Sequence, residues 1–387
     1  MSKLLSIIIP TKERYATLIP VINSLLQIDS DELEVLVQDN SNNNSQILAY
    51  LLANKDKRVK YLYEPAPLSQ TGNSDLAVKN SSGEYICFIG DDDGVMPYIV
   101  EVVKWMKLNE ITVLKSYLPS YYWPEMKSTY TSNNTSGILK YKRKFSYAIK
   151  KVDTSLALKA ALSKGGTDLS DLPCLYQGVV KRSELDKIYS LCNSYFPGPS
   201  PDMANAIALS LVTDIYYYAD FPLVISGKSI HSIGGKGVLH NHSEEIEKVR
   251  HLPPETSKQW SPEIPKYWTG PTIWAESILK ALDKCGYENK KQALNLPYLY
   301  ASLMLFNYRE RQQIFGKFKN KVFSFAFFKS YVCLFFKRGK MFLINRIGGL
   351  GIMTKENIPN VLRASNILTK ELVDQKLPFY KQNTAEM

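Results

Sequence analysis

The chain opens on an apolar run at 4–9, of strand length and closed by Pro10, and then spaces apolar positions at helical intervals over 14–26, interrupted at Pro20. Strand, turn and helix follow. The pattern returns as a strand at 33–37 running into Gln38-Asp39-Asn40-Ser41, as a helix at 47–52 and as a strand at 59–63. A last strand at 85–89 ends in Gly90-Asp91-Asp92-Asp93-Gly94. Repeated units of this kind predict an α/β protein with a doubly wound, mostly parallel sheet covered by helices on both faces. Ligands of such sheets bind beyond the carboxyl ends of the strands, and here those ends carry Pro10-Thr11, Asp39-Asn40 and Asp91 to Asp93. The N-terminal stretch has no small-residue cleavage site and its apolar run is too short to span a bilayer, so it reads as a first buried strand.

Downstream the pattern loosens. An aromatic segment at 117–123 and a polar stretch at 128–137, read as a mobile loop, precede a segment at 172–181 containing Cys174, Tyr176 and Gln177. Sugar rings stack on aromatic faces, but the aromatic segment could equally be an ordinary buried cluster. Pro and Gly then punctuate 196–201, and a helix follows from Asp202 to about Val212, with Ser200 as N-cap and Pro201 in the first turn. Beyond 243, Pro253, Pro254, Pro262, Pro265 and Pro271 mark a linker that also holds Trp260, Trp268 and Trp274, and helices are expected at 273–282 and 292–308. Three regions result, 1–115, 116–242 and a mainly helical 243–387.

Composition narrows the class. With 45% hydrophobic and 22% charged residues the chain is neither collagen-like, coiled-coil nor wholly disordered. Its net charge of +11 suggests an anionic partner, whether nucleic acid, a phosphate-bearing substrate or an acidic membrane surface. Five cysteines without a C-x-x-C pair suggest reduced thiols in a cytoplasmic protein. The basic excess is concentrated in 315–346, which has no acidic residue and interleaves phenylalanines with Lys317, Lys319, Lys321, Lys329, Lys337, Arg338, Lys340 and Arg346. Such a segment can lie on an anionic membrane surface, serve as half-buried helices in a structural or oligomeric role, or bind single-stranded nucleic acid; the first is favoured and nucleic acid is set aside.

Candidate chemistry centres on the acidic triplet. Hard carboxylate ligands where the backbone bends after a strand suit Mg²⁺ or Mn²⁺ holding a diphosphate, against the alternative of a solvated acidic turn. No P-loop occurs, because Gly234-Gly235-Lys236-Gly237 lacks both the spacing and the terminal hydroxyl. His240 and His242, with His231 nearby in a glycine-rich segment, are two positions apart and face one way on an extended chain, so they could bind a metal or the diphosphate, His240 first.

Three segments in order, Ile-Ile-Ile-Pro-Thr-Lys-Glu-Arg at 7–14, Val-Gln-Asp-Asn-Ser at 37–41 and the stretch at 72–93, resemble the nucleotide-sugar half of family 2 glycosyltransferases, which have the GT-A fold. The resemblance implies that Pro10, Thr11, Glu13, Arg14 and Asp39 hold the nucleotide base and ribose. It further implies that Asn73, Asp91 and Asp92 contact the donor, and that the metal is chelated by Asp93, Asp92 or Asp91, in that order. Two positions depart from the family pattern: Asn40 replaces a second Asp, and Gly90 replaces the first Asp of the acidic motif. Inverting members carry a carboxylate base at the head of a helix in the acceptor half, which points to Asp202, with Asp168, Asp171 and Asp214 as alternatives. The processive Q-x-x-R-W motif is absent from the sequence. The expectation is thus an inverting, metal-dependent transferase of single sugars. It would take a nucleotide diphosphate sugar, UDP-sugar by family habit, and pass it to a saccharide or lipid-linked saccharide in surface polysaccharide synthesis, in the cytoplasm or peripherally at the inner membrane face. A sugar nucleotidyltransferase and a non-enzymatic carbohydrate- or membrane-binding module are the rival readings.

Overall fold

The computed structural model describes residues 3–126, 136–169, 171–232, 234–235, 244–307, 311, 314–316, 324–346 and 351–373. The apolar runs of the first hundred residues become strands β1 (Leu5–Thr11), β2 (Leu33–Asp39), β3 (Val59–Tyr63) and β4 (Tyr85–Phe88). Helices α1 (Tyr15–Leu26), α2 (Ser45–Ala53) and α3 (Gln70–Asn80) connect them, and the four pair in parallel in the order β3-β2-β1-β4. Alternate residues of β1 serve opposite faces. Ile7 and Ile9 pack with Leu18 and Ile22 of α1, whereas Ile8 packs with Ala77 and Val78 of α3, which is why the whole run is apolar. Pro20 sits inside α1 without ending it.

Next come β5 (Gly94–Val95), α4 (Ile99–Leu108), β6 (Val113–Tyr117), β7 (Ser120–Tyr122), β8 (Ile138–Lys142), β9 (Ile149–Asp153) and α5 (Thr154–Ser163). They are followed by β10 (Gly178–Lys181), α6 (Arg182–Cys192), α7 (Pro201–Val212), β11 (Ile215–Pro222) and β12 (Val224–Lys228). The large sheet is completed as β3-β2-β1-β4-β10-β6-β11-β9, with β10 antiparallel to both neighbours and β11 parallel to β6. The α/β class with a parallel-dominated sheet is therefore as the sequence predicts.

The C-terminal region is mainly helical, with α8 (Gly270–Lys284), α9 (Leu296–Phe306), α10 (Phe325–Arg346), β13 (Ile352–Lys355) and α11 (Val361–Val373). Thr269 and Thr272 form a capping box that starts α8, and Asn295 caps α9 ahead of Pro297, so the helix expected at 292–308 begins later, behind a short 3₁₀ turn at Glu288–Ala293. The proline-rich stretch is packed rather than extended: Ile246, Val249, Leu252 and Trp268 form a small core with Ile273 of α8. Two later elements return to the first half of the chain. Strand β13 joins a second sheet in the order β13-β8-β7-β12-β5, and Val361, Ala364, Leu368 and Leu372 of α11 share the core of α1. No helix among the described residues is long and apolar enough to cross a membrane. All five cysteines are free, with the Cys192 and Cys285 sulfurs 3.3 Å apart.

Candidate active site

The carboxyl ends of β1, β4 and β12 meet at the acidic triplet. Thr11, the last residue of β1, donates its hydroxyl to Asp91 Oδ2 at 2.6 Å, and Arg14, at the head of α1, places Nη2 2.5 Å from Asp91 Oδ1 and 3.0 Å from Asp92 Oδ1. Ser229, just past β12, donates both its backbone N–H and its hydroxyl to Asp92 Oδ2, at 3.0 and 2.7 Å. Asp93 is held more tightly still. Its Oδ1 accepts from Gln177 Nε2 at 2.9 Å and from the Gly227 N–H at 2.7 Å, and its Oδ2 accepts from the Gly90 N–H at 2.8 Å. The approach of β12 is so close that a Cβ at Gly227 would lie 1.7 Å from the Asp92 carbonyl oxygen, so glycine is required there. Gln177 and Glu13 reach their positions only by adopting left-handed backbone, φ 60° and 58°, strain of the kind that collects at functional sites.

Among the described residues, the three carboxylates in this space are paired with one cation, Arg14. Burial pushes the carboxyls of Asp91 and Asp93 above the usual carboxylate range, and the neighbouring charge of Asp92 adds to both. Burial works against the Arg14 guanidinium as well, but Asp91 and Asp92 more than offset it and raise its pKa. The site is thus short of positive charge. The Oδ1 atoms of Asp91 and Asp92 converge on one nitrogen of Arg14, and two carboxylate oxygens completed by substrate phosphates are a donor set that Mg²⁺ or Mn²⁺ accepts. Arg14 Nε and Asn73 Oδ1 are buried without a hydrogen-bond partner, further unspent polar capacity beside the site.

The sequence pattern ranks Asp93 first as a metal ligand, while in the fold both its oxygens are occupied by protein donors. Asp39 lies at the end of β2, fully buried, with Oδ2 accepting from the hydroxyls of Tyr15 and Tyr61 at 2.6 and 2.8 Å and Oδ1 from the Ser41 N–H at 2.9 Å. Asn40 shows why an amide follows it: its Nδ2 donates to the Glu64 and Ala66 carbonyls, both at 2.7 Å, which a carboxylate could not do. Asn73 donates to the Thr11 and Gln38 carbonyls, at 3.3 Å each, and so ties α3 to the ends of β1 and β2. Glu13 is exposed and accepts from the Asn42 N–H at 2.5 Å, and Pro10 is half-buried within β1.

Asp202 stands in the first turn of α7. Ser200 is the N-cap as expected, but its hydroxyl is turned to Asp202 Oδ1 instead of a backbone N–H. The Met203 N–H donates to the same oxygen at 2.8 Å, and Trp274 Nε1 of α8 donates to Oδ2 at 3.1 Å. Burial raises the Asp202 pKa above its ordinary value, and these donors moderate the shift. Tyr176 responds electrostatically to both carboxylate groups. Burial first, then the charges of Asp93, Asp92 and Asp202, hold its hydroxyl proton well above the usual tyrosine range. One turn beyond Asp202, Asn205 fixes both flanking loops, its Oδ1 accepting from the Leu175 N–H at 3.3 Å and its Nδ2 donating to the Tyr195 carbonyl at 2.9 Å.

The other candidates lie apart from this constellation. Asp168 pairs with Lys164 at 4.0 Å, Asp171 and Asp214 are exposed, and His231 is exposed in the turn after β12. His240 and His242 lie outside the described residues, as does most of the loop expected at 128–137. Sequence reasoning missed Ser229, Gly227 and Trp274 as site residues. Their positions carry no local motif, since each acts on a carboxylate between 72 and 137 positions away.

Residues 6–159 match the family model described as glycosyl transferase family 2. A β-1,3-glucosyltransferase of Campylobacter jejuni, named for a GalNAc(5)-diNAcBac-PP-undecaprenol acceptor, is 33% identical over 97 residues, 24% of this chain and 30% of the relative. An uncharacterized glycosyltransferase of Rickettsia conorii is 27% identical over 135 residues, 35% of this chain and 22% of the relative, so the matched region spans under a third of either one. Among solved structures, S. aureus TarS 1–349 in complex with UDP-GlcNAc is 14% identical, with a TM-score of 0.49 over 82% of this chain and 80% of that one. Over residues 6–159, the chain is thus similar to glycosyl transferase family 2.

Proposed function

We propose that the chain is an inverting glycosyltransferase that moves one sugar from a nucleotide diphosphate sugar, with a UDP-sugar as the favoured donor, to a saccharide or lipid-linked saccharide in surface polysaccharide synthesis. The observation that carries this reading is the pair of carboxylate groups of different environment, the triplet at Asp91 to Asp93 tied to the strand ends by Thr11, Arg14 and Ser229, and the lone Asp202 held by Ser200, Met203 and Trp274. Asp91 and Asp92 would hold Mg²⁺ or Mn²⁺, whose chemistry there is to neutralise charge on the leaving diphosphate. Asp93, bound to Gln177 and the Gly227 and Gly90 N–H groups, fixes the loop that presents them. Arg14 is a second cation for the donor phosphates once the carboxylates have another partner.

On the acceptor side, Asp202 takes the proton of the attacking hydroxyl as that oxygen closes on the anomeric carbon from the face opposite the diphosphate. A single displacement of this kind inverts the centre and needs a base but no protein nucleophile. The acceptor class follows the C. jejuni relative, whose name specifies a diphosphoundecaprenol-linked glycan. Such an acceptor would place the reaction at the inner face of the cell membrane.

Transfer from UDP-sugars, assayed with Mn²⁺ and with excess chelator, tests the reading. Asp92→Asn keeps the shape of the side chain and removes one negative charge, so transfer should drop by at least ~10²-fold with the melting temperature nearly unchanged. Full transfer by that variant, or by wild type in chelator, overturns the metal-dependent mechanism.

A further inference from the structure

Helix α10 carries two apolar faces. At 3.6 residues per turn, Phe327, Ser330 and Leu334 fall on one side and are buried, Phe327 and Leu334 in the core they share with α9. Phe325, Phe328, Val332, Phe335, Phe336 and Leu343 recur at intervals of three and four on the opposite side, and they are between 51% and 85% exposed. A run of large apolar side chains of this exposure is far from the scattered single residues that an ordinary surface tolerates. Lys329 and Lys340 are exposed along one edge of that stripe, Lys337 is exposed further round the helix, and no acidic residue occurs anywhere in α10.

We propose that this outer face of α10 is a docking surface for an anionic lipid bilayer, on which the helix lies flat with its phenylalanines among the upper acyl carbons and its lysines at headgroup level. The inference goes beyond the transferase reading, since it would hold whatever reaction the site performs. Charge decides between the occupants. A second copy seated stripe to stripe would bring two lysine-edged helices together with no carboxylate on either to pair them, whereas an anionic leaflet supplies the missing charge along the whole edge. Long lysine stems also suit this place, because they cover apolar surface while their ammonium groups reach the polar layer. Helix α10 is not a spanning segment, its apolar residues being broken by Lys329, Lys337, Arg338 and Lys340.

The test is co-sedimentation of the full chain with vesicles, with neither donor nor acceptor present, so that its outcome is independent of any transfer assay. Wild type should bind vesicles containing phosphatidylglycerol, ignore those of phosphatidylcholine alone, and be released as salt rises. Changing Lys329, Lys337 and Lys340 to Gln should weaken binding about 5-fold per residue, ~100-fold together. Phe328→Ser with Phe336→Ser should weaken it at low salt, where wild type binds. All these side chains are exposed, so melting temperatures should match wild type, and the lipid and salt comparison stands even without the variants. Failure of wild type to bind phosphatidylglycerol vesicles at low salt overturns the proposal. So does binding that both variants leave unchanged, or a dimer seen by light scattering that Phe336→Ser dissolves.

Discussion

Asp202 has one oxygen saturated by the Ser200 hydroxyl and the Met203 N–H and the other steadied by Trp274, so its orientation is set before any acceptor arrives. Asp202→Asn should therefore leave donor affinity nearly intact, measured by calorimetry, while transfer falls by about 10² to 10⁴. Burial raises the carboxyl pKa, which gives the pH dependence its sign. If Asp202 is the base as proposed, it is lost as pH falls through that raised value, so the acid limb of kcat should lie above the ordinary carboxylate range and vanish in the Asn variant. Stability should move the other way: the ionised form is disfavoured by folding, and the folded state gains as pH drops from the folded pKa towards the unfolded one. Trp274→Phe keeps an aromatic side chain and removes the donor that favours the ionised form, and the acid limb should shift upward. Asp202 was legible in the sequence because Ser200-Pro201-Asp202 is a local helix-start pattern. Trp274 was not, since its partner lies 72 positions away and nothing near it in sequence demands a hydrogen-bond acceptor.

Legibility at the scale of elements follows the same division between local and distant causes. Strands β1, β2 and β4 were readable because each is an apolar run buried along its length, and the edge strand β3 because apolar residues flank its single exposed Lys60, patterns that need no knowledge of neighbours. The second sheet was not. Its members are two to five residues long and draw partners from as far apart as Ile352 and Lys142, so pairing, not pattern, makes them strands. Helix α11 belongs with them, because its apolar side chains find their use against α1, β5 and β12, elements far away in sequence. Leu368 is fully buried in that contact, and Leu368→Ala should cost about 2 to 5 kcal/mol by denaturant unfolding. The loss should appear as a lowered midpoint with transfer per folded molecule unchanged, since Leu368 touches none of the carboxylates.

For the whole molecule, the matched family region at 6–159 is not a self-sufficient body. Its large sheet is completed by β10 and β11, its acidic loop is gripped by Gly227 and Ser229, and Asp202, itself outside that region, is steadied from α8. Removing everything after 350 should accordingly yield a chain that aggregates or melts well below wild type, although every residue of the triplet and Asp202 is retained. Stable, fully active protein after that truncation would show that α11 merely decorates the fold. The return of α11 also has a consequence in time. Ser365 donates its hydroxyl to the carbonyl of Val95, two residues past the triplet, across a separation of 270 positions. At ~5 to 20 residues per second, the ribosome delivers the second partner roughly a quarter of a minute to a minute after the first. Throughout that interval the outer side of α1 and the short strand behind the acidic loop wait uncovered, so the nascent chain depends on whatever shields apolar surface at the tunnel exit.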